Sequence, residues 1–373
     1  VLQGLRLKIA AQWWIVPATM FLGIRLMTYI VLWVANQNRS TTNLLGLITQ
    51  WDAGWNSVVA GQGYIEMPDM GTGVERFMTL AFFPVVPKCV QALHWATGLS
   101  IDRSGLLFCT TTGLAGTLVL WRLIQRRYSE EVATDSVLLL LVSPFAFVLS
   151  MFYTEGPTLL MVALCFTALD RKRWLWAGMA ALVVGGMRPN GILIFVPCLV
   201  AAVIAFRGQR DWKAFVAPLV APLGFIAWIA YVWHRTGQPR GYFAIQSQGW
   251  GASFDWGQAA LESTIDLVTY QWKSADLVTS PLMVLVIGVV GLVLAYRRRM
   301  DWVWLSYAVA VVVLAATNAR QASTGRFLLL AFPLFVAFAL SIPKRWLPLV
   351  AAMSAVLMGG FFYSATGPGS LTP

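Results

Sequence analysis

Asp52 stands in the stretch Ile48-Thr49-Gln50-Trp51-Asp52-Ala53-Gly54-Trp55-Asn56-Ser57-Val58-Val59, shortly after the first long apolar segment of a chain dominated by such segments. Apolar residues recur here at helical spacing and charges are few, which predicts a short helix lying on a bilayer surface. A carboxylate held there, against apolar walls, is placed to take a proton from a hydroxyl arriving along the membrane face. The same residue could instead cap the helix it begins, and a Trp-Asp pair alone does not choose. Glu155 precedes Gly156-Pro157 and another apolar run. It could hydrogen-bond a hydroxylated ligand, hold an arginine, or simply favour the positive end of the helix that follows.

Four arginines complete the set. Arg188 follows an apolar run and precedes Pro189, which puts a guanidinium at membrane depth, and Arg25 lies near the middle of the first apolar segment. Ionisable groups at such depth are functional candidates, and the expected partner of Arg25 is an acid or a phosphate inside the bundle. Arg320 and Arg326 flank the turn before another apolar run, where the planar fork of either suits a lipid-linked phosphate. For each arginine the plain alternative is an interfacial snorkelling side chain or an internal ion pair. The 18 tryptophans and 10 tyrosines suit carbohydrate stacking, but most are assigned to the aromatic belt of a membrane protein.

The elements that must position these groups follow from composition. The chain is 58% hydrophobic and 12% charged, with a mean hydropathy of +0.69, which makes it an all-α polytopic membrane protein. The first apolar segment, Trp13 to Ala35, is too long for a signal-peptide core and lacks a small-residue cleavage site, so a retained anchor is expected. The net charge of +11 comes in short basic clusters at the ends of apolar segments rather than along one face, a topology signal rather than a nucleic-acid surface. Four scattered cysteines and two histidines support neither a disulfide framework nor a His/Cys metal site. The thiols read as small core hydrophobes.

Basic clusters facing one side must be separated by even numbers of crossings. With Arg6/Lys8, Arg126/Arg127, Arg171 to Arg173, Arg207/Arg210/Lys213, Arg297 to Arg299 and Lys344/Arg345 inside, the spans fall near 12–36, 105–124, 133–150, 156–170, 174–188, 190–206, 214–233, 279–296, 302–317, 327–342 and 347–365. That is about eleven crossings. With Arg122 included, the inner ends hold 16 of the 27 basic and 6 of the 16 acidic residues, an excess of +10, against 11 and 10 elsewhere. Phe77 to Thr97 is apolar but carries Pro84, Pro87, Lys88 and His94, and reads as a re-entrant or interfacial segment. Trp174 to Phe206 must turn at Arg188-Pro189-Asn190-Gly191 into two short spans. Two large outer loops result, 37–104 and 234–278, and the unusual polar residues all fall on that side. With no soluble domain, repeat or low-complexity tract evident, residues 1–373 read as one membrane domain.

Trp51-Asp52-Ala53 with Gly63-Tyr64, Ala81-Phe82-Phe83-Pro84-Val85-Val86-Pro87, Tyr153-Thr154-Glu155, Arg188-Pro189-Asn190-Gly191 and Arg326-Phe327 occur in the order of a known motif set. On these the chain resembles the GPI mannosyltransferase II family in bacterial form, within the GT-C membrane glycosyltransferases. The likeness covers about residues 20–200 well and 320–340 more loosely, while 210–310 matches only in hydropathy. Gly54-Trp55 and Asn190 depart from the pattern. The resemblance implies a GT-C-like bundle with juxtamembrane helices in the first outer loop. It implies inverting transfer of mannose from polyprenyl-phosphate mannose to a lipid or glycan hydroxyl at the non-cytoplasmic face. Asp52 would be the general base; Trp51, Tyr64, Tyr153, Glu155, Arg188, Asn190 and Arg326 would surround the substrate, with Arg25 and Arg320 as further candidates for phosphate. No nucleotide sugar is implied, and a divalent cation is left open. Partners would be membrane lipids, the lipid-linked donor and a glycolipid or glycan acceptor. Short loops and the bacterial-type motif variants point to a bacterial plasma membrane with the site on the periplasmic side. A GT-C enzyme using polyprenyl-phosphate arabinose or glucose shares the same geometry. A transporter would be expected to show inverted repeats, and none is found.

Overall fold

A computed structural model describes residues 12–37, 44–67, 73–269 and 281–366. The Arg6/Lys8 cluster, residues 38–43 and 68–72 of the first outer loop, residues 270–278 of the second and the start of the 279–296 span lie outside the described residues. Those described are overwhelmingly helical and contain no β-strand, only an isolated bridge between Phe254 and Asn318.

Among the described residues, five helices are long and apolar enough to cross a membrane alone: Ile15–Val34, Ile101–Arg127, Pro189–Gln209, Trp212–Thr236 and Leu347–Ala365. Two further pairs, Val74–Ala81 with Val85–Thr97 and Gln321–Leu330 with Phe332–Ala339, are bent by 69° and 68°. Counting each bent pair as one span gives seven, so the expected eleven crossings are not all single unbroken helices. Shorter apolar helices occupy Trp174–Gly185, Pro281–Arg297 and Trp302–Ala316. The expected 133–150 span is divided into Glu130–Leu141 and a 3-10 turn, Ala146–Ser150, with Pro144 in the break.

The local chemistry of the ends is regular. Ser100 accepts from the Arg103 amide at the start of Ile101–Arg127, and Arg126 and Arg127 occupy its last turn, where the helix dipole favours cations. Asp301 likewise accepts from the Val303 amide to start Trp302–Ala316.

Glycine sets the closest packing. A Cβ on Gly116 would lie 2.7 Å from the Leu160 nitrogen, and one on Gly156 would lie 2.4 Å from the Cys109 carbonyl oxygen. The helices Ile101–Arg127 and Glu155–Asp170 therefore meet backbone to backbone, as small residues allow in membranes. This contact fixes the position of Glu155 at the head of the second helix. A second, smaller core of Val74, Phe77, Leu80, Phe83, Trp228, Val232, Tyr242 and Ile245 ties the segment 74–83 to the helix Gly241–Trp250. Between these two packing units lies the cavity described next.

Arg25 belongs to the first unit. Its guanidinium donates to the carbonyls of Ala146 (2.6 Å) and Leu141 (2.9 Å) and to Ser150 Oγ (3.1 Å). The Leu141 carbonyl closes a helix and has no intrahelical partner of its own. The cation thus satisfies backbone groups freed where the 133–150 span breaks. Carbonyls and a hydroxyl, not an acid, hold the cation, which corrects the expectation of an acid partner.

Candidate active site

Helix ends and breaks from four separate parts of the chain converge on one cavity of about 370 Å³. Asp52 opens the helix Asp52–Gln62. Tyr153 and Glu155 come from the turn that begins Glu155–Asp170. Arg188 and Asn190 come from the expected turn, where the chain leaves Trp174–Gly185 and Pro189 starts a 3-10 segment. Arg326 lies on the short helix Thr324–Leu329, ahead of the 68° bend. All six line the cavity.

Their charges interlock. Arg326 Nη1 donates to Asp52 Oδ2 at 2.6 Å and stands 3.9 Å from Glu155 Oε1, which in turn lies 3.0 Å from Arg188 Nη1. Two carboxylates and two guanidiniums alternate in one chain of contacts. Glu155 is only 1% exposed and Arg188 and Arg326 are 6% and 7% exposed, whereas the Asp52 side chain is 31% exposed. Asp52 is therefore the acid that an incoming molecule can reach, and as the first residue of its helix it turns its carboxylate to Arg326. The Arg326 guanidinium lies 5.2 Å from the centroid of the Tyr153 ring. Burial, and then the Asp52 carboxylate, push the Tyr153 phenol far up, so it stays protonated and able to donate.

Several buried polar atoms here lack a hydrogen-bond partner in the protein. They are both oxygens of Glu155, Nε and Nη1 of Arg188, Nε of Arg326, Oδ1 of Asn190 and the Tyr153 hydroxyl. Glu155 and Arg188 are close enough to neutralise one another, yet their atoms are not aligned for a hydrogen bond. Unmade hydrogen bonds are costly in a buried place. Fixed donors and acceptors of this kind are what a site needs to receive a polar ligand without reorganising. Each cavity carboxylate faces a guanidinium, and no group of three or more His, Cys, Asp or Glu among the described residues could hold a metal ion.

Another part of the cavity wall is aromatic. Phe82, Phe83, Phe225, Tyr242, Phe243 and Trp250 line it, with Gln246 between them. Trp55, Phe82 and Trp250 brace one another, with centroids 5.6 to 5.9 Å apart. Two residues the motifs did not single out also line the cavity. Asn56 is one helical turn beyond Asp52, and Gln246 lies one turn from both Tyr242 and Trp250. The i, i+4 spacing was the available signal.

Of the remaining sequence candidates, Tyr64, Trp51 and Arg25 go elsewhere. The Tyr64 hydroxyl donates to the Phe82 carbonyl at 3.0 Å, and its ring packs on Trp228 in the second core. Trp51 is outside the cavity lining; its indole N–H donates to the Ala365 carbonyl at 3.0 Å. Arg25 is held in the bundle as described. Arg320 does line the cavity, and its guanidinium donates to the Trp250 carbonyl at 2.9 Å.

Residues 84–234 match the model of the dolichyl-phosphate-mannose-protein mannosyltransferase family. That stretch includes Glu155, Arg188 and Asn190 but neither Asp52 nor Arg326. A comparison with curated proteins found no match. Among solved structures, the chain is similar to ArnT from Cupriavidus metallidurans bound to undecaprenyl phosphate, with a TM-score of 0.54 and 16% identity over 93% of this chain and 64% of that one. It is also similar to ArnT from the same organism in the apo state, with a TM-score of 0.53 and 16% identity over 95% and 65%. The chain thus spans just under two thirds of the length of these structures. The fold is the GT-C membrane fold.

Proposed function

We propose that this protein is a GT-C glycosyltransferase that moves a sugar, mannose in the reading preferred, from a polyprenyl-phosphate carrier to a lipid or glycan hydroxyl at the non-cytoplasmic face of a bacterial plasma membrane. One observation carries the reading: a reachable carboxylate, Asp52, sits against a buried guanidinium, Arg326, in a cavity walled by aromatic side chains. The matched family description favours mannose, and the ArnT likeness agrees with a lipid-phosphate carrier.

In this reading Asp52 takes the proton of the acceptor hydroxyl. The acceptor oxygen bonds to the anomeric carbon while the bond from that carbon to the phosphate oxygen breaks, its electron pair leaving with polyprenyl phosphate. The anomeric centre inverts. Arg326 and Arg188 supply fixed positive charge where the leaving phosphate gains charge. As Asp52 loses its charge to the proton, Arg326 gives up one anionic partner and gains another, so the local balance is kept.

The test incubates wild-type protein and Asp52→Asn with labelled polyprenyl-phosphate mannose and a membrane lipid extract, then identifies the labelled product. Transfer by the wild type and its loss in a folded Asp52→Asn are expected. Wild-type rates from Asp52→Asn would remove the base assignment, and transfer only from polyprenyl-phosphate arabinose or glucose would replace the sugar.

A further inference from the structure

Trp51 has a backbone that tryptophan rarely adopts. Its φ of 58° and ψ of −129° lie outside the ordinary left-handed well, where Arg210, for instance, sits at 53° and 33°. Such a conformation costs about 1–3 kcal/mol and persists only where the surroundings impose it. The surroundings here are specific. The indole N–H donates to the carbonyl of Ala365, the last residue of helix Leu347–Ala365, a carbonyl with no partner inside its own helix. On the backbone side, the amides of Gly54 and Trp55 donate to the Trp51 carbonyl at 3.0 and 3.3 Å, and Ala53 donates to Gln50 at 3.2 Å. The turn is tight enough that a Cβ on Gly54 would fall 3.1 Å from the Thr49 carbonyl oxygen. The next residue along the chain is Asp52.

We propose that Trp51 is a positioning residue for Asp52. The anchored indole holds the strained turn, the turn sets where helix Asp52–Gln62 begins and how it is aimed, and that aim places the carboxylate 2.6 Å from Arg326. Without the anchor the backbone at residue 51 relaxes to a negative φ, the first helical turn re-aims, and Asp52 leaves its partner. The end of the last helix is thereby linked to the acid in the cavity through one hydrogen bond. This inference rests on the proposed reading of Asp52 as base for its kinetic part only.

Trp51→Phe keeps an aromatic ring and removes the donor. With labelled polyprenyl-phosphate sugar, kcat is expected to fall by about tenfold to a hundredfold, as for a displaced catalytic group, while the donor KM stays within about twofold. Amide hydrogen exchange in residues 52–56 is expected to rise, with the rest of the bundle unchanged. Wild-type kcat, unchanged exchange at 52–56, or a rise spread through the bundle would each overturn the proposal. If the wild-type protein transfers no sugar, the functional reading fails and the exchange measurement decides the Trp51 question alone. Should Trp51→Phe fail to fold, the hydrogen bond from Trp51 to the Ala365 carbonyl is tested with Trp51→Leu, which likewise removes the donor, by the same two readouts and with the same outcomes.

Discussion

Glu155→Gln separates two jobs that the buried carboxylate could do. The substitution keeps shape and removes one negative charge, leaving Arg188 without its carboxylate and Arg326 with Asp52 alone. Breaking a buried ion pair from one side costs about 3–5 kcal/mol, and the cavity beside Glu155 brings the value toward the lower figure. At ~2.1 cal/mol/K of unfolding entropy per residue, about 3 kcal/mol lowers the midpoint by about 4 °C for a chain of this size. The same change should favour an anion. A carboxylate about 6 Å from a bound phosphate repels it by about 3 kcal/mol at an effective dielectric of about 20. Water in the cavity screens part of this, leaving about a tenfold gain in affinity. The assay pairs thermal unfolding in detergent with inhibition of sugar transfer by undecaprenyl phosphate. A lower midpoint with stronger inhibition is expected. A lower midpoint with weaker inhibition would refute the charge argument and make Glu155 a direct hydrogen-bonding partner of the ligand, and no change in either would refute the buried pairing itself.

Arg25→Met should lower the unfolding midpoint by the equivalent of about 2–4 kcal/mol, because carbonyls at Leu141 and Ala146 lose their donor, while kcat of the folded fraction stays at wild type. A selective rise in donor KM would restore the phosphate reading. Gly156→Ala places a Cβ against the Cys109 carbonyl and should cost more than about 3 kcal/mol, seen as a sharp drop in folded yield by size-exclusion chromatography. Arg188→Lys should lower kcat by about tenfold to a hundredfold, since a point charge cannot replace the planar fork between Glu155 and the cavity; transfer at the wild-type rate would show that only its charge matters.

Much of the charged floor was legible in the sequence because membrane-depth charges are rare and each here adjoins a helix break. Asp52, Glu155, Arg188 and Arg326 could be placed on one side by counting basic clusters, and the structure brings them into contact. What spacing could not give was the direction of each side chain. Arg25 carries the same signal as Arg188, yet it turns to backbone carbonyls left open near Pro144, an event visible only once the 133–150 span is seen to break. Tyr64 and Trp51 sit in the same motif as Asp52, but their polar atoms go to the Phe82 and Ala365 carbonyls, partners 18 and 314 residues away. The aromatic wall escaped for another reason: residues 242, 246 and 250 follow only the ordinary periodicity of a helix face. The number of crossings was read from hydropathy and the parity of the basic clusters, and neither signal registers bends of 69° and 68° within an apolar run.

The floor and the wall also differ in how freely they can change over generations. Substituting any member of the floor strands an opposite charge in a buried place, so drift there is self-limiting. The wall residues of Gly241–Trp250 carry no charge to pair with the floor, and the Arg320 guanidinium bonds the main-chain carbonyl of Trp250, an acceptor that every residue type retains. A lineage built on this plan can vary what fits the cavity by altering the one contiguous helix Gly241–Trp250 while inheriting its charged floor unchanged.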